Sequence, residues 1–104
     1  MTNLNQPYTV GKWIAKAGKE NLFIREWEAF ALWTAKTQAG AGIGNLLQNR
    51  DRSQEFISFG SWDSYSSIKT WRESPEFKTF ASKVRELCED FQPLSLILVA
   101  NSQG

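Results

Sequence analysis

Apolar residues recur along this chain in two rhythms, every second residue in some segments and every third or fourth in others. Alternation rich in β-branched and aromatic residues predicts strands at Tyr8–Ala15 and Glu55–Trp62. A further strand is predicted at Ile43–Asn49, just before a short polar turn. Because this strand and Glu55–Trp62 are close in sequence, we expect them to form an antiparallel hairpin.

Helical spacing of apolar residues predicts a first helix at Glu20–Lys36. Asp63 is a good N-cap for a short second helix, Ser64–Arg72, and Ser74-Pro75 has the capping serine and first-turn proline of another helix start. The apolar face of that last helix is predicted to comprise Phe77, Phe80, Ala81, Val84, Leu87, Cys88 and Phe91.

Pro93 is predicted to end this helix, and the apolar run Leu94–Ala100 is predicted to form the final strand. The resulting order, β-α-β-β-α-β, is typical of the ferredoxin-like α+β fold, a four-stranded antiparallel sheet with its helices on one face. A single domain is expected over residues 8–100, between a flexible N-terminal tail at 1–7 and a C-terminal tail at 101–104.

The predicted sheet leaves one face without helices. The predicted last strand is nevertheless apolar on both faces except at Ser95, so both of its faces should be covered. A second copy of the same sheet would cover the open face, so the pattern predicts a two-fold homodimer joined through the sheets.

The composition excludes several kinds of site. The 104 residues carry a net charge of +1, which gives no electrostatic reason to expect a nucleic-acid partner. Cys88 is the single cysteine, so an intrachain disulfide is excluded. Because the chain also has no histidine, the usual Cys/His zinc site is excluded and no metal is expected. No apolar run approaches the ~20 residues that cross a bilayer, which predicts a cytoplasmic protein without a membrane partner.

Several motifs occur together in the predicted order of elements: Phe23-x-x-x-Trp27 in the first helix, Trp62-Asp63-Ser64 where a strand meets a helix, and Trp-x-x-Ser-Pro-x-Phe at 71–77. With them, residues 8–100 resemble the antibiotic biosynthesis monooxygenase family of dimeric α/β-barrel proteins. The resemblance implies a homodimer with a pocket between helices and sheet in each subunit. It also implies a small planar aromatic ligand.

The family resemblance implies a monooxygenase that oxidises phenol-, quinol- or anthrone-like substrates with dioxygen and no cofactor. A non-catalytic binding or sensing module on the same fold is the alternative, because convergent polar residues are scarce. Haem degradation is disfavoured: of the Asn–Trp–His set in haem-cleaving relatives, the positions matching Asn and His are occupied by Gly11 and Ala81.

Trp62 and Tyr65 are the predicted catalytic residues. Trp62 is expected either to form a pocket wall on which a flat substrate stacks or to plug the core. Tyr65 could donate a hydrogen bond to a substrate oxygen, or lie half-exposed as an ordinary amphipathic side chain.

Seven further residues are candidates for substrate binding. For the tryptophans core packing is the alternative, and for Arg72 it is a surface role. These candidates are Trp13, Trp27, Trp33, Asn45, Ser58, Trp71 and Arg72.

Overall fold

A computed structural model describes residues 4–103 of the chain. Its elements are β1 (Pro7–Ala15), α1 (Glu20–Thr37), β2 (Ala41–Gln48), β3 (Glu55–Trp62), α2 (Tyr65–Glu73), α3 (Pro75–Glu86) and β4 (Cys88–Ile97). The outermost residues of the predicted tails, 1–3 and 104, lie outside the described part. None of the helices within it is long and apolar enough to cross a membrane.

The four strands form one antiparallel sheet in the order β2-β3-β1-β4. This confirms the ferredoxin-like fold, with α2 and α3 as two successive helices in place of one. Even-numbered residues of β3 from Phe56 to Trp62 are buried beneath the helices, as the alternation predicts. The inner face of β1 consists of its odd-numbered residues, because Gly11 pairs with Ser58 and Trp13 pairs with Phe56.

Serine caps begin the second and third helices. The Ser64 hydroxyl accepts a hydrogen bond from the Ser67 N–H at 3.2 Å, so Ser64, rather than the predicted Asp63, is the N-cap of α2. Asp63 instead accepts a hydrogen bond from the Ser67 hydroxyl at 2.6 Å. Ser74 caps α3 as predicted, accepting from the Phe77 N–H at 3.1 Å.

The predicted boundary between the last helix and the last strand is wrong. Helix α3 ends at Glu86, and β4 begins at Cys88 and continues through Pro93. The three-residue spacing of Cys88 and Phe91 suggested a helix, but both residues belong to a strand paired with β1. Because β4 is an edge strand, it can contain a proline that a central strand would exclude.

The core lies between the helices and the inner face of the sheet. Phe23 and Val84 are fully buried, and the Phe23 ring contacts Trp13 and Phe56 at centroid distances of 5.4 and 4.7 Å. Each buried phenylalanine contributes about 1.5–3 kcal/mol of hydrophobic stabilisation. These contacts fix helix α1 over strands β1 and β3, and so set the height of the space between the layers.

The opposite face of the sheet has no helix over it and carries several exposed apolar side chains. Leu47 and Ile57 are cross-strand partners there, with 56% and 44% of their surfaces exposed. Ile43 and Leu96 are also exposed. Exposed apolar side chains in contiguous patches mark interaction surfaces. We call this surface the outer sheet face.

Candidate functional site

A cavity of about 400 Å³ lies between the three helices and the inner face of the sheet. This volume falls within the roughly 300–1,000 Å³ of typical small-molecule sites. All four strands and all three helices contribute to its walls. The lining is mainly aromatic and aliphatic, so the cavity suits a planar apolar ligand.

Three tryptophans of the cavity wall donate their indole N–H groups to protein hydroxyls. Trp62 Nε1 donates to Thr9 Oγ1 at 3.1 Å, and Trp13 Nε1 donates to Ser58 Oγ at 2.9 Å. The third, Trp71 Nε1, donates to the hydroxyl of Thr34 at 3.0 Å. These bonds fix the rings, which therefore offer a ligand their π surfaces rather than their N–H groups.

The three accepting hydroxyls differ in what they can still donate. Thr34 donates its hydroxyl hydrogen to the Phe30 carbonyl at 2.9 Å, so it has no hydrogen left to donate to a ligand. Thr9 and Ser58 only accept in the hydrogen bonds found among residues 4–103. Both line the cavity, so each has a hydroxyl hydrogen available for an oxygen atom of a ligand.

Gly11 allows the bond between Trp13 and Ser58 to form. A Cβ atom at this position would lie 2.6 Å from Trp13 Nε1 and 2.8 Å from Ser58 Oγ. The space that a side chain at position 11 would occupy is therefore filled by a close approach of these two side chains.

A cross-strand pair of glycines opens the floor of the cavity. Gly44 of β2 pairs with Gly60 of β3, and both line the cavity. A Cβ atom at Gly60 would meet only the β2 backbone, at 3.5 Å or more. Gly60 thus has room for a side chain, and its lack of one leaves space inside the cavity.

Arginine is the only ionisable residue type of the cavity wall among the described residues. Arg72 comes from the last turn of α2 and Arg85 from the last turn of α3. As far as residues 4–103 form it, the wall contains no aspartate, glutamate, lysine, tyrosine or cysteine. The described lining therefore offers positive charge and hydroxyl donors but no general base.

Cys88 lies apart from the cavity and is unsuited to act as a nucleophile. Burial raises the pKa of its thiol from 9.0 to about 11, partly opposed by the nearby Lys16 charge. At neutral pH the side chain is therefore a thiol, and thiolate is the reactive form.

Most of the residues predicted to form the site lie together around the cavity. Trp62 is 3% exposed and still contributes to the wall, with its ring 4.8 Å from that of Trp71. Trp62 thus belongs both to the buried core and to the cavity wall. The predicted residues that line the cavity are Trp13, Trp27, Ser58, Trp62, Trp71 and Arg72.

Three predicted residues lie elsewhere. Tyr65, the first residue of α2, is 53% exposed and not part of the wall. Asn45 pairs with Phe59, so it lies on the outer sheet face. Trp33 packs against Phe80, with ring centroids 5.3 Å apart, beyond the cavity wall.

Of the polar wall residues that were not predicted, Thr9 and Arg85 have signals in the sequence. Thr9 shares the inner face of β1 with Gly11 and Trp13, because the three alternate at two-residue steps. Arg85 follows Phe77 and Ala81 at four-residue steps, which place all three on one side of α3. The two-residue period of the strand and the four-residue step of the helix would have identified Thr9 and Arg85 as wall residues.

No group of three or more histidine, cysteine, aspartate or glutamate side chains within residues 4–103 is arranged to hold a metal ion.

Several solved structures share this fold. SnoaB from Streptomyces nogalater, described as a cofactor-independent oxygenase, superposes with a TM-score of 0.88 at 17% identity, covering 96% of this chain and 99% of SnoaB. A Shewanella oneidensis protein gives a TM-score of 0.80 at 19% identity, covering 94% of this chain and 96% of that one. At these identities the likeness shows a shared fold.

A third similar structure is a Pseudomonas aeruginosa protein, with a TM-score of 0.78 at 18% identity, covering 96% of this chain and all of that chain. No curated protein matches the chain. The family model described as antibiotic biosynthesis monooxygenase matches residues 8–83, well over half of the sequence. The chain therefore belongs to the antibiotic biosynthesis monooxygenase family.

Proposed function

We propose that this protein is a cofactor-independent monooxygenase that oxidises a small planar phenol-, quinol- or anthrone-like substrate in the cavity between helices and sheet. The observation that carries the proposal is the pair of hydroxyl groups of Thr9 and Ser58, each of which accepts a tryptophan N–H and has its own hydrogen available inside an aromatic cavity.

The positions of the two hydroxyls support a role in stabilising negative charge on a substrate oxygen. Because Thr9 pairs with Gly60 and Ser58 pairs with Gly11, they are diagonal neighbours on adjacent strands. Each accepts a hydrogen bond from an indole, which polarises its O–H and makes it a better donor. Fixed donors in a water-poor site stabilise an anion without reorganising.

The reaction needs little else from the protein. An anthrone that has lost its proton to water transfers one electron to dioxygen. The resulting radical and superoxide combine into a peroxide anion, which takes up a proton from water to give a hydroperoxide. Loss of water from the hydroperoxide then leaves a quinone, so anthrone plus O₂ gives anthraquinone plus H₂O. The chain's residues bind the anion, lower its energy and exclude bulk water.

A second function, non-catalytic binding or sensing of a planar aromatic molecule, is supported by the absence of a general base from the described cavity wall.

In either function we propose that two subunits pair through their outer sheet faces. The pairing would cover the exposed side chains of Leu47 and Ile57.

The oxygenase is tested with 1,8-dihydroxyanthrone under ¹⁸O₂ in the presence of a chelator. We expect oxygen uptake above the uncatalysed rate and one ¹⁸O atom in the quinone. Thr9→Val should lower kcat about ten- to hundredfold with a small change in KM, because the lost donor acts on developing charge. Thr37→Val is the matched control, since its hydroxyl bonds to the Trp33 carbonyl on an exposed part of α1.

Substrate binding without oxygen uptake would contradict the oxygenase and support the binding module. Equal loss of kcat in Thr9→Val and Thr37→Val would contradict the role given to Thr9. A melting curve of Thr9→Val separates a folding defect from a catalytic one, because the Trp62 N–H loses its acceptor at a cost of about 1–3 kcal/mol.

A further inference from the structure

We infer that the cavity's ligand is a planar aromatic carboxylate, whose carboxylate group lies at the edge of the cavity lined by Arg72 and Arg85 while its rings lie among the tryptophans. This inference rests on the proposed function, because it concerns the same cavity. It narrows the substrate class from planar aromatic molecules in general to those that carry a negative charge at one edge.

Both arginines lie against the same wall of the cavity. Arg72 Nη2 donates a long hydrogen bond of 3.4 Å to Ser95 Oγ, and the Arg85 guanidinium carbon lies 5.4 Å from the centre of the Phe91 ring. Phe91, Pro93 and Ser95 alternate on the inner face of β4, and all three line the cavity.

The spacing along β4 places the arginines at either side of one edge of the cavity. Phe91 and Ser95 are four residues apart, which corresponds to about 13 Å of strand. Pro93 lies between them and has neither a charge nor an N–H group. The two guanidinium groups therefore supply the charged donors of this wall.

The guanidinium of Arg85 packs against an aromatic stack. Phe91 stacks on Trp13, with ring centroids 3.9 Å apart and an interplanar angle of 25°, and the Arg85 guanidinium lies over the Phe91 ring. Trp13 is itself fixed by its bond to Ser58. A guanidinium that is already oriented loses less freedom when a ligand binds.

The charge balance of the site favours an anion. The described wall contains no acidic residue, and the ion pair found in residues 4–103 joins Arg52 to Glu55 in the β2–β3 turn. No described carboxylate thus lies within 4.0 Å of Arg72 or Arg85. A planar guanidinium donates two parallel hydrogen bonds to a carboxylate, which gives both affinity and orientation.

Two probes that share a ring system but differ in charge test this inference. By isothermal titration calorimetry, the wild type should bind 2-naphthoate about tenfold more tightly than 2-naphthamide. Arg72→Gln and Arg85→Gln should each weaken naphthoate binding about five- to tenfold, a moderate effect because both side chains are partly solvated. Naphthamide binding should stay within about twofold, and naphthoate binding should weaken as salt is raised.

The controls separate charge from folding. Arg25→Gln removes the same charge from an exposed position on α1 outside the cavity and should leave both affinities unchanged. Arg72→Lys and Arg85→Lys keep the charge and should recover part of the naphthoate affinity. Equal affinities of the wild type for both probes, or equal weakening of both by the glutamine variants, would overturn the inference. Either result would still support the cavity as an aromatic binding site. Failure of both probes to bind would count against the cavity as an aromatic site, and so against the proposed function as well.

Discussion

Replacing Gly60 with valine should abolish binding of planar ligands without destabilising the fold. Gly60 lies on the inner face of β3 opposite Gly44, and a Cβ atom there would meet only backbone at ordinary contact distances. Its backbone is not among the positive-φ positions of the described chain, so a larger residue is not strained. The isopropyl group would fill the cavity floor, where a ligand's ring would otherwise lie.

The size of the effect follows from excluded volume. A rigid aromatic ring cannot share the floor with the new side chain, and we expect at least a hundredfold loss of affinity for 2-naphthol. Stability should stay constant or rise, because glycine is a poor strand residue and valine a good one. Calorimetric titration measures the first effect and a thermal melt the second.

Gly60→Ala serves as the graded control, since a single methyl group should weaken binding far less than valine does. Unchanged binding in Gly60→Val would show that ligands lie elsewhere. A lower melting temperature in that variant would show that the glycine is needed by the fold rather than by the cavity.

Charges on the outer sheet face should separate the proposed dimer into monomers. Leu47 and Ile57 are cross-strand partners in the apolar patch that has no helix over it. In a dimer closed through the sheets, the double variant Leu47→Glu/Ile57→Glu would bury four carboxylates. Only two of them could pair with Lys12, the neighbour of Ile57 on β1, and each unpaired carboxylate costs several kcal/mol. Light scattering should then give the 11.9 kDa mass of one chain, half the mass of the wild type.

Leu32→Glu is the matched control for this experiment. Leu32 is 55% exposed, nearly the same as Leu47 at 56%, but it lies on helix α1 away from the outer sheet face. This variant should remain dimeric. A wild-type mass of one chain, or dimers of the double variant as stable as those of the wild type, would contradict pairing through the sheets.

The element order could be predicted from sequence because period and capping signals agree in most segments. Strand β3 alternates strictly, and Ser74-Pro75 marks the start of α3 where the structure has it. The start of β4 could not be predicted, because Cys88 and Phe91 continue a three- and four-residue spacing. This segment is a strand because it pairs with β1, and a local sequence pattern carries no information about which segments pair in the folded chain.

The candidate site was predictable in its aromatic part and much less so in its polar part. Trp62 and Trp71 stand out by residue type, and Ser58 by its face of β3. Tyr65 has suitable chemistry, but it projects from an exposed helix start. Thr9 gains its interest only from the Trp62 indole, which reaches it from 53 residues away in sequence. Contacts of that kind depend on strand register and helix placement, which cannot be read from the sequence alone.

The most direct test of the account is a two-dimensional ¹⁵N–¹H spectrum of the indole N–H groups during titration with 2-naphthol. The chain has five tryptophans, of which Trp13, Trp27, Trp62 and Trp71 line the cavity and Trp33 does not. If a planar aromatic molecule binds between helices and sheet, these four signals should shift together along one binding curve while that of Trp33 stays in place. A shift confined to Trp33, or no shift in any of the five signals at millimolar ligand, would contradict the claim that this cavity is the binding site.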